Sequence, residues 1–226
     1  MRVIAIIPAF NEEDCLEQTV LSLKETCPDI DYLIVNDGST DATVSICERC
    51  DFSYVSLPVN SGLAAAFQTG MKYALRHGYD AAVQFDADGQ HLPEYIPAMA
   101  QKMQDDSADI VIASRILAGE KLVGARAIGS KIISALIRLT TRTHIADPTS
   151  GMRMFGKDLI RTYAEGFDLT PEPDTLALFA RRNMRISEIP ARMHERQGGV
   201  SYLGLTNSIL YMLRTCCSIL LFQWFR

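Results

Sequence analysis

The chain has 226 residues, 48% of them hydrophobic, with 22 Lys/Arg against 27 Asp/Glu for a formal net charge of −5. That length fits one large domain or two small ones, and the apolar content supports a sizeable core. No repeat, low-complexity tract or strong overall basicity is present, so a solenoid, a disordered protein and a nucleic-acid binder are all disfavoured.

The front half alternates. Apolar runs at Arg2–Ile7, Tyr32–Asn36, Phe52–Leu57, Ala81–Phe85 and Asp109–Ala113 read as buried strands. Helical patterns lie between them near Glu12–Glu25, Asp41–Cys50, Leu63–His77 and Pro93–Gln104. Asn11 is placed to cap the first helix, Ser39, Thr40 or Asp41 the second, and Gly78 ends the third. This rhythm predicts an α/β fold with a mostly parallel sheet and helices on both faces. The rear half breaks the rhythm. Gly119–Gly129 reads as a mobile loop, Ala127–Thr141 as a helix and Met152–Phe155 as a strand. Pro171-Glu-Pro-Asp174 should start a helix, Ile186–Pro190 is a short strand, and Arg192–Ser201 is a basic loop. No linker separates the halves.

Charge is unevenly placed. Residues 1–106 hold 6 Lys/Arg and 17 Asp/Glu (−11), whereas residues 107–226 hold 16 and 10 (+6). An acidic front and a basic rear fit metal binding in one and anion binding in the other, although most single charges are solvated surface. The six cysteines are expected as reduced thiols, because the Cys47/Cys50 pair lacks the further ligands zinc would want. The start, Met1-Arg-Val-Ile-Ala-Ile-Ile-Pro8, reads directly as a strand and not as a signal peptide. At the other end Leu205, Ile209, Leu213, Cys216, Leu220 and Trp224 recur at helical spacing. The uncharged run after Arg214 is too short to span a bilayer, which needs about 20 apolar residues. The tail therefore reads as an interfacial helix with Trp224, Phe225 and Arg226 at headgroup level, or as a helix packed on the core or on a second subunit.

The most specific stretch is Asp86-Ala-Asp88. Two carboxylates one residue apart at the end of a strand repel each other unless a cation sits between them. Oxygen ligands suit Mg²⁺ or Mn²⁺, which share their shell with substrate phosphates. Every other front strand also ends in a polar or Gly-bearing segment: Pro8-Ala-Phe-Asn-Glu12, Asn36-Asp-Gly-Ser-Thr-Asp41 and Pro58-Val-Asn-Ser-Gly62. Ligands of open α/β sheets bind along that edge.

Taken together these segments resemble the family 2 glycosyltransferases, which have the GT-A fold with a Rossmann-like nucleotide-binding half. The resemblance runs on through Ala113-Ser-Arg115, Arg126 with Ser130, Asp147-Pro-Thr-Ser-Gly-Met-Arg153 and Arg196-Gln-Gly-Gly-Val-Ser201. It is strongest to the dolichol- and polyprenyl-phosphate sugar transferases and to short enzymes of bacterial surface-polysaccharide synthesis. It implies a single GT-A domain over 1–204 (nucleotide-sugar half 1–114, acceptor half 115–204), with 205–226 as a separate helix. It implies that Asp86, Asp88 and Gln90 coordinate Mg²⁺ or Mn²⁺ on the donor diphosphate. Pro8, Phe10, Glu12 and Asp37 would contact base and ribose, with Asn60 and Gly62 on the same edge, and Arg115 and Arg126 would handle phosphates. The blander readings are a capping role for Glu12, a turn role for Gln90, a supporting role for His91 and plain surface charge for Arg196. Two departures stand out: Asn36 replaces the usual Asp, and Glu172-Pro-Asp174 is not what the polyprenyl-phosphate enzymes lead one to expect.

The expected reaction is a single displacement with inversion, from a GDP-, UDP- or dTDP-sugar. A hydroxyl acceptor would need a carboxylate base, for which Asp147, Glu172 and Asp174 are the candidates. A polyprenyl phosphate is already an anion and would need cations instead, from Arg115, Arg126, Arg153 and Arg196, with Ser201 nearby. The basic rear and apolar tail favour the lipid; the lack of spanning helices favours a glycan hydroxyl. The expected setting is cytoplasmic, peripheral at the inner membrane face, with a membrane or membrane-protein partner held through the C-terminal helix and a homo-oligomer left open. A nucleotidyltransferase would carry a Gly- and Arg/Lys-rich loop after the first strand, and a dehydrogenase or P-loop enzyme its own glycine motif; none occurs. An inactive partner subunit would have lost a metal carboxylate, and both are present.

Overall fold

The computed structural model describes residues 1–121, 124–167, 169–194 and 205–221, with the backbone alone at 125–126 and 205–211. Seven strands form one sheet: β1 (Val3–Ala9), β2 (Asp31–Asn36), β3 (Tyr54–Ser56), β4 (Ala81–Gln84), β5 (Ile110–Ser114), β6 (Arg153–Gly156) and β7 (Ile186–Pro190). Eight helices accompany them among the described residues: α1 (Leu16–Thr26), α2 (Thr43–Arg49), α3 (Leu63–Arg76), α4 (Tyr95–Asp105), α5 (Gly124–Thr141), α6 (Lys157–Glu165), α7 (Pro173–Arg181) and α8 (Leu205–Leu220).

The strand order is β3-β2-β1-β4-β6-β5-β7. β1 pairs parallel with β2 and β4, β2 with β3, and β5 with β7. β6 runs antiparallel to both of its neighbours, β4 and β5. Two reversals cancel, so β5 runs the same way as β4. The C-terminal ends of all six other strands therefore share one edge, and β6 begins there. That arithmetic places the loops after β1, β2, β3, β4, β5 and β7, and the loop before β6, side by side.

Both faces of the sheet are covered, which explains why the strands read as continuous apolar runs. Along β1, Val3, Ala5 and Ile7 pack with α1 (Leu16, Val20, Leu23), α2 (Ile46, Cys47) and α4 (Ile96, Met99, Met103). The alternate residues Ile4 and Ile6 pack on the other face with α3 (Phe67, Met71), α6 (Leu159, Tyr163) and α7 (Leu176, Phe179). Ile133 and Ile137 of α5 and Ile219 of α8 join that second core. The C-terminal helix is thus docked on the domain: Ile219 and Thr215 are buried, and the Ser218 hydroxyl donates to Asp174 at 2.7 Å. Trp224, Phe225 and Arg226 lie outside the described residues. No helix among the described residues is long and apolar enough to cross a membrane. All six cysteines are unbridged.

Two expectations need correction, and one helix is new. Asn11 does not cap α1. Its backbone turns left-handed (φ 55°), its side chain serves the neighbouring loop, and the helix starts at Leu16. Gly119–Gly129 is not all loop, because α5 begins at Gly124. The helix α6 carries no strong start signal, its N-cap being Gly156, and the sequence pattern did not reveal it.

Candidate active site

Three groups of loop residues meet along the shared edge. The first ties the β1 loop to the β2 loop. The Asn11 side-chain oxygen accepts the Thr40 N–H at 2.9 Å, and the Asn11 N–H donates to Ser39 Oγ at 3.0 Å. The Glu12 N–H donates to Thr43 Oγ1, the Glu13 carboxylate accepts the Ala42 N–H, and Asp41 accepts the N–H groups of Glu13 and Thr43. Partial burial would raise the pKa of Asp41, but the Thr43 hydroxyl and these N–H donors outweigh it and hold it below the usual carboxylate range. Asn36 joins the ends of β2 and β3: its amide donates to Ser56 Oγ at 3.1 Å while its oxygen accepts the Ser39 N–H at 3.1 Å.

Asp37 is buried, and its two oxygens accept the Ser61 N–H at 2.7 Å and the Gly62 N–H at 2.8 Å. These bonds hold the 58–62 loop at the start of α3. Gly38 lets that loop close. It sits at φ +68°, and a Cβ there would lie 2.6 Å from the backbone of Val59 and Asn60. Pro8, Phe10, Glu12 and Gly62 are half-buried on this side and Asn60 is exposed, so together they line the edge.

The second group surrounds the carboxylate pair. β4 ends at Gln84, and Asp86 and Asp88 follow it. Asp86 is about one-third exposed at its side chain, and one of its oxygens accepts from the Gln84 amide at 3.2 Å. His91 is packed beneath it. The His91 Nδ1 accepts the Asp86 N–H at 2.9 Å, so Nε2 carries the hydrogen, and it faces the other Asp86 oxygen at 3.5 Å. One imidazole therefore fixes both the backbone and the carboxylate of Asp86. Asp88 is buried and accepts the Gln90 N–H at 3.1 Å. Gln90 pairs onward with the segment after β7, through His194 N–H to Gln90 O at 3.0 Å. Gly151, from the loop before β6, closes the pocket. A Cβ there would stand 3.0 Å from an Asp86 oxygen and 3.2 Å from His91 Nε2.

This donor set fits Mg²⁺ or Mn²⁺. Both carboxylates end on the substrate edge, one is oriented by a histidine, and backbone gives way at Gly151 where a side chain would intrude. No cluster of three or more His, Cys, Asp or Glu with ligand geometry occurs among the described residues, so the remaining ligands would be Gln90, water or substrate oxygens.

The third group is an ion pair on the β5 side. Arg115 donates from Nε and Nη2 to the two oxygens of Asp147, each at 2.8 Å, and from Nη2 to Thr149 Oγ1 at 3.0 Å. The Arg115 N–H adds a bond of 3.1 Å, and Asp147 is 0% exposed. Burial alone would raise the Asp147 pKa; the Arg115 fork overrides it and the net shift is downward. Glu188 of β7 shapes the same loop by accepting the Ala146 N–H at 2.7 Å and the Asp147 N–H at 3.0 Å.

Two expected roles change here. Asp147 is not available as a general base, because it is buried, ionised and clamped. Arg153 does not face the edge as a phosphate ligand: it is 2% exposed, and its guanidinium donates to the carbonyls of Pro148, Ser150 and Pro171. It braces the 148–150 loop against the start of α7. At that start Glu172 is the half-buried N-cap residue, and Asp174 is engaged by Ser218 and by the Thr175 N–H. Arg126 lies in the first turn of α5, with its side chain outside the described part; Arg196 and Ser201 lie outside the described residues altogether.

Sequence reasoning did not single out Gly151, Thr149 or Glu188. Glu188 had a signal, a charge at the centre of a short apolar strand. Gly151 had only its place beside Ser150.

Comparison with known proteins bears on what this edge does. The undecaprenyl-phosphate mannosyltransferase of Micrococcus luteus is 32% identical over 215 residues, spanning 89% of this chain and 87% of that protein. The polyprenol monophosphomannose synthase of Mycolicibacterium smegmatis is 28% identical, over 91% and 82%. Among solved structures, glucosyl-3-phosphoglycerate synthase from Mycobacterium tuberculosis, in complex with Mn²⁺, UDP and glucosyl-3-phosphoglycerate, superposes with a TM-score of 0.72. It covers 98% of this chain and 79% of its own at 16% identity, which establishes the shared GT-A fold. The description "Glycosyl transferase family 2" matches residues 4–164. The chain therefore belongs to glycosyl transferase family 2 and is a nucleotide-sugar-dependent glycosyltransferase.

Proposed function

We propose that the protein transfers a sugar, with inversion, from a nucleotide-sugar to a polyprenyl phosphate, using a divalent ion held by Asp86, Asp88 and Gln90. When bound, that ion neutralises charge building on the leaving diphosphate. The chain's own residues do the rest. Asp37, Asn36 and Gly38 shape the loops on which Pro8, Phe10 and Glu12 receive the nucleoside. His91 holds Asp86 in place. An acceptor phosphate oxygen forms the new bond to the anomeric carbon as the bond to the diphosphate breaks. The nucleoside diphosphate leaves, and no proton need be removed.

The observation that carries this reading is the Arg115–Asp147 clamp. It turns the strongest candidate base into a counter-ion, while Asp174 is likewise engaged by Ser218. Two of the three candidate bases are thus engaged, which suits an acceptor that is already an anion and needs no base. The names of the relatives, an undecaprenyl-phosphate mannosyltransferase and a polyprenol monophosphomannose synthase, support the same acceptor.

The test is turnover with Mn²⁺ or Mg²⁺, each common nucleotide sugar in turn, and undecaprenyl phosphate in detergent. Labelled lipid with one donor is expected. Donor hydrolysis without lipid product would overturn the acceptor and make Glu172 the base to examine. Asp88→Ala should abolish transfer, and turnover retained in that variant would overturn the metal assignment.

A further inference from the structure

We infer that the outer face of α5 is a docking surface for an anionic lipid bilayer. The helix has two sides of opposite character. Gly129, Ser130, Ile133 and Ile137 are buried against the domain. Ile128, Ile132, Ala135 and Leu139 follow one another at steps of four, three and four and form a single exposed stripe. Ile128 is 64% exposed, Ile132 44% and Leu139 76%. A surface helix of an ordinary soluble face would carry polar residues at these positions.

Charge says what covers the stripe. Lys131 and Arg138, seven residues apart, lie on one flank of it, Arg142 follows just past the helix end, and all three are exposed. The segment Gly124–Thr141 contains no Asp or Glu. A groove beside the stripe is lined by Ile116, Lys131, Arg138, Leu139 and His144 among others. The two carboxylates that flank the segment in the chain are turned inward, Glu120 to the Met193 N–H and Asp147 to Arg115. An apolar strip edged by cations without acids matches acyl chains below and anionic headgroups above.

The location adds a consequence. The exposed Ile116 and Leu117 directly follow Arg115 in the chain, so a bilayer seated on α5 would bring the Arg115–Asp147 corner close to the headgroup plane. This deepens the lipid-phosphate reading above and takes from it only the source of the acceptor.

The experiment is co-flotation of the full chain with vesicles of phosphatidylcholine, with and without phosphatidylglycerol. Wild type should float with the anionic vesicles and lose that preference in high salt. The pair Ile132→Glu with Leu139→Glu should cut the partition at least ~10-fold, since two side chains leave the acyl region. The pair Lys131→Glu with Arg138→Glu, a second and fully surface change, should abolish the preference for phosphatidylglycerol. Unchanged flotation of both variants would overturn the inference. So would a wild-type dimer in gel filtration that the Ile132/Leu139 pair dissolves, which would assign the stripe to a second copy. Turnover of undecaprenyl phosphate in detergent separates the two proposals. The Ile132/Leu139 variant should match wild type there and fall behind only on vesicles. Flotation without any lipid product from wild type would remove the acceptor reading and leave the membrane surface standing.

Discussion

Replacing Arg115 by Leu should destabilise the protein before it reports anything about phosphate. Asp147 is 0% exposed, and both of its oxygens accept from the Arg115 side chain at 2.8 Å. Without the guanidinium the carboxylate keeps the Arg115 N–H and the Thr149 hydroxyl, in a site closed to water. Breaking a buried pair from one side costs about 3–5 kcal/mol. For a chain of this size that is a fall in Tm of roughly 6–20 °C. Asp147→Leu alone should cost a similar amount, whereas Arg115→Leu with Asp147→Leu should recover most of the loss, because an apolar pair of like volume is often neutral. The sign with pH follows from the lowered Asp147 pKa. The clamp contributes fully above the ordinary carboxylate pKa of about 3.9 and fades as pH falls through the lower folded value. The Tm gap between wild type and Arg115→Leu should therefore be constant at neutral pH and narrow below about pH 4, where the carboxylate takes up a proton. Thermal melts of the four proteins across that range decide it. Single variants that each lose less than about 1 kcal/mol, or a gap that widens in acid, would refute the buried-clamp account.

Two further perturbations address the metal pocket and the nucleotide loop. His91→Ala should weaken Mn²⁺ binding, read by electron paramagnetic resonance or calorimetry, by about 10–100-fold, because it orients Asp86 through both Nδ1 and Nε2. Gly151→Ala should lower the same affinity with little change in melting, since its Cβ would press on the Asp86 oxygen at 3.0 Å. Asp37→Ala should cost about 1–3 kcal/mol by leaving the Ser61 and Gly62 N–H groups without their acceptor. A Tm untouched in Asp37→Ala, together with altered base preference, would return Asp37 to direct nucleoside contact.

What the sequence made legible, and what it left hidden, divide along a physical line. Short-range rules sufficed for the strands. β1 and β4 are buried on both faces, so apolarity marked them, and the polar residues at their ends marked the ligand edge. Asp86-Ala-Asp88 was legible because two adjacent carboxylates are costly unless something balances them. The rear half resisted because its key contacts are long-range. Arg115 meets Asp147 across 32 positions, Glu188 reaches back 42 to Ala146, and Ser218 reaches 44 to Asp174. No periodicity encodes such pairings. An arginine that braces three carbonyls, as Arg153 does, looks in sequence the same as one poised for a phosphate. The difference is burial, and burial is decided by β6 inserting antiparallel between β4 and β5. That insertion also shapes both sides of the edge. It brings the 147–152 loop to the shared edge, where Asp147 closes on Arg115 and Gly151 closes on Asp86. One reversed strand thus sets the counter-ion of one subsite and the wall of the other. The function depends on a topological feature that the apolar pattern of Met152–Phe155 could announce only as a strand.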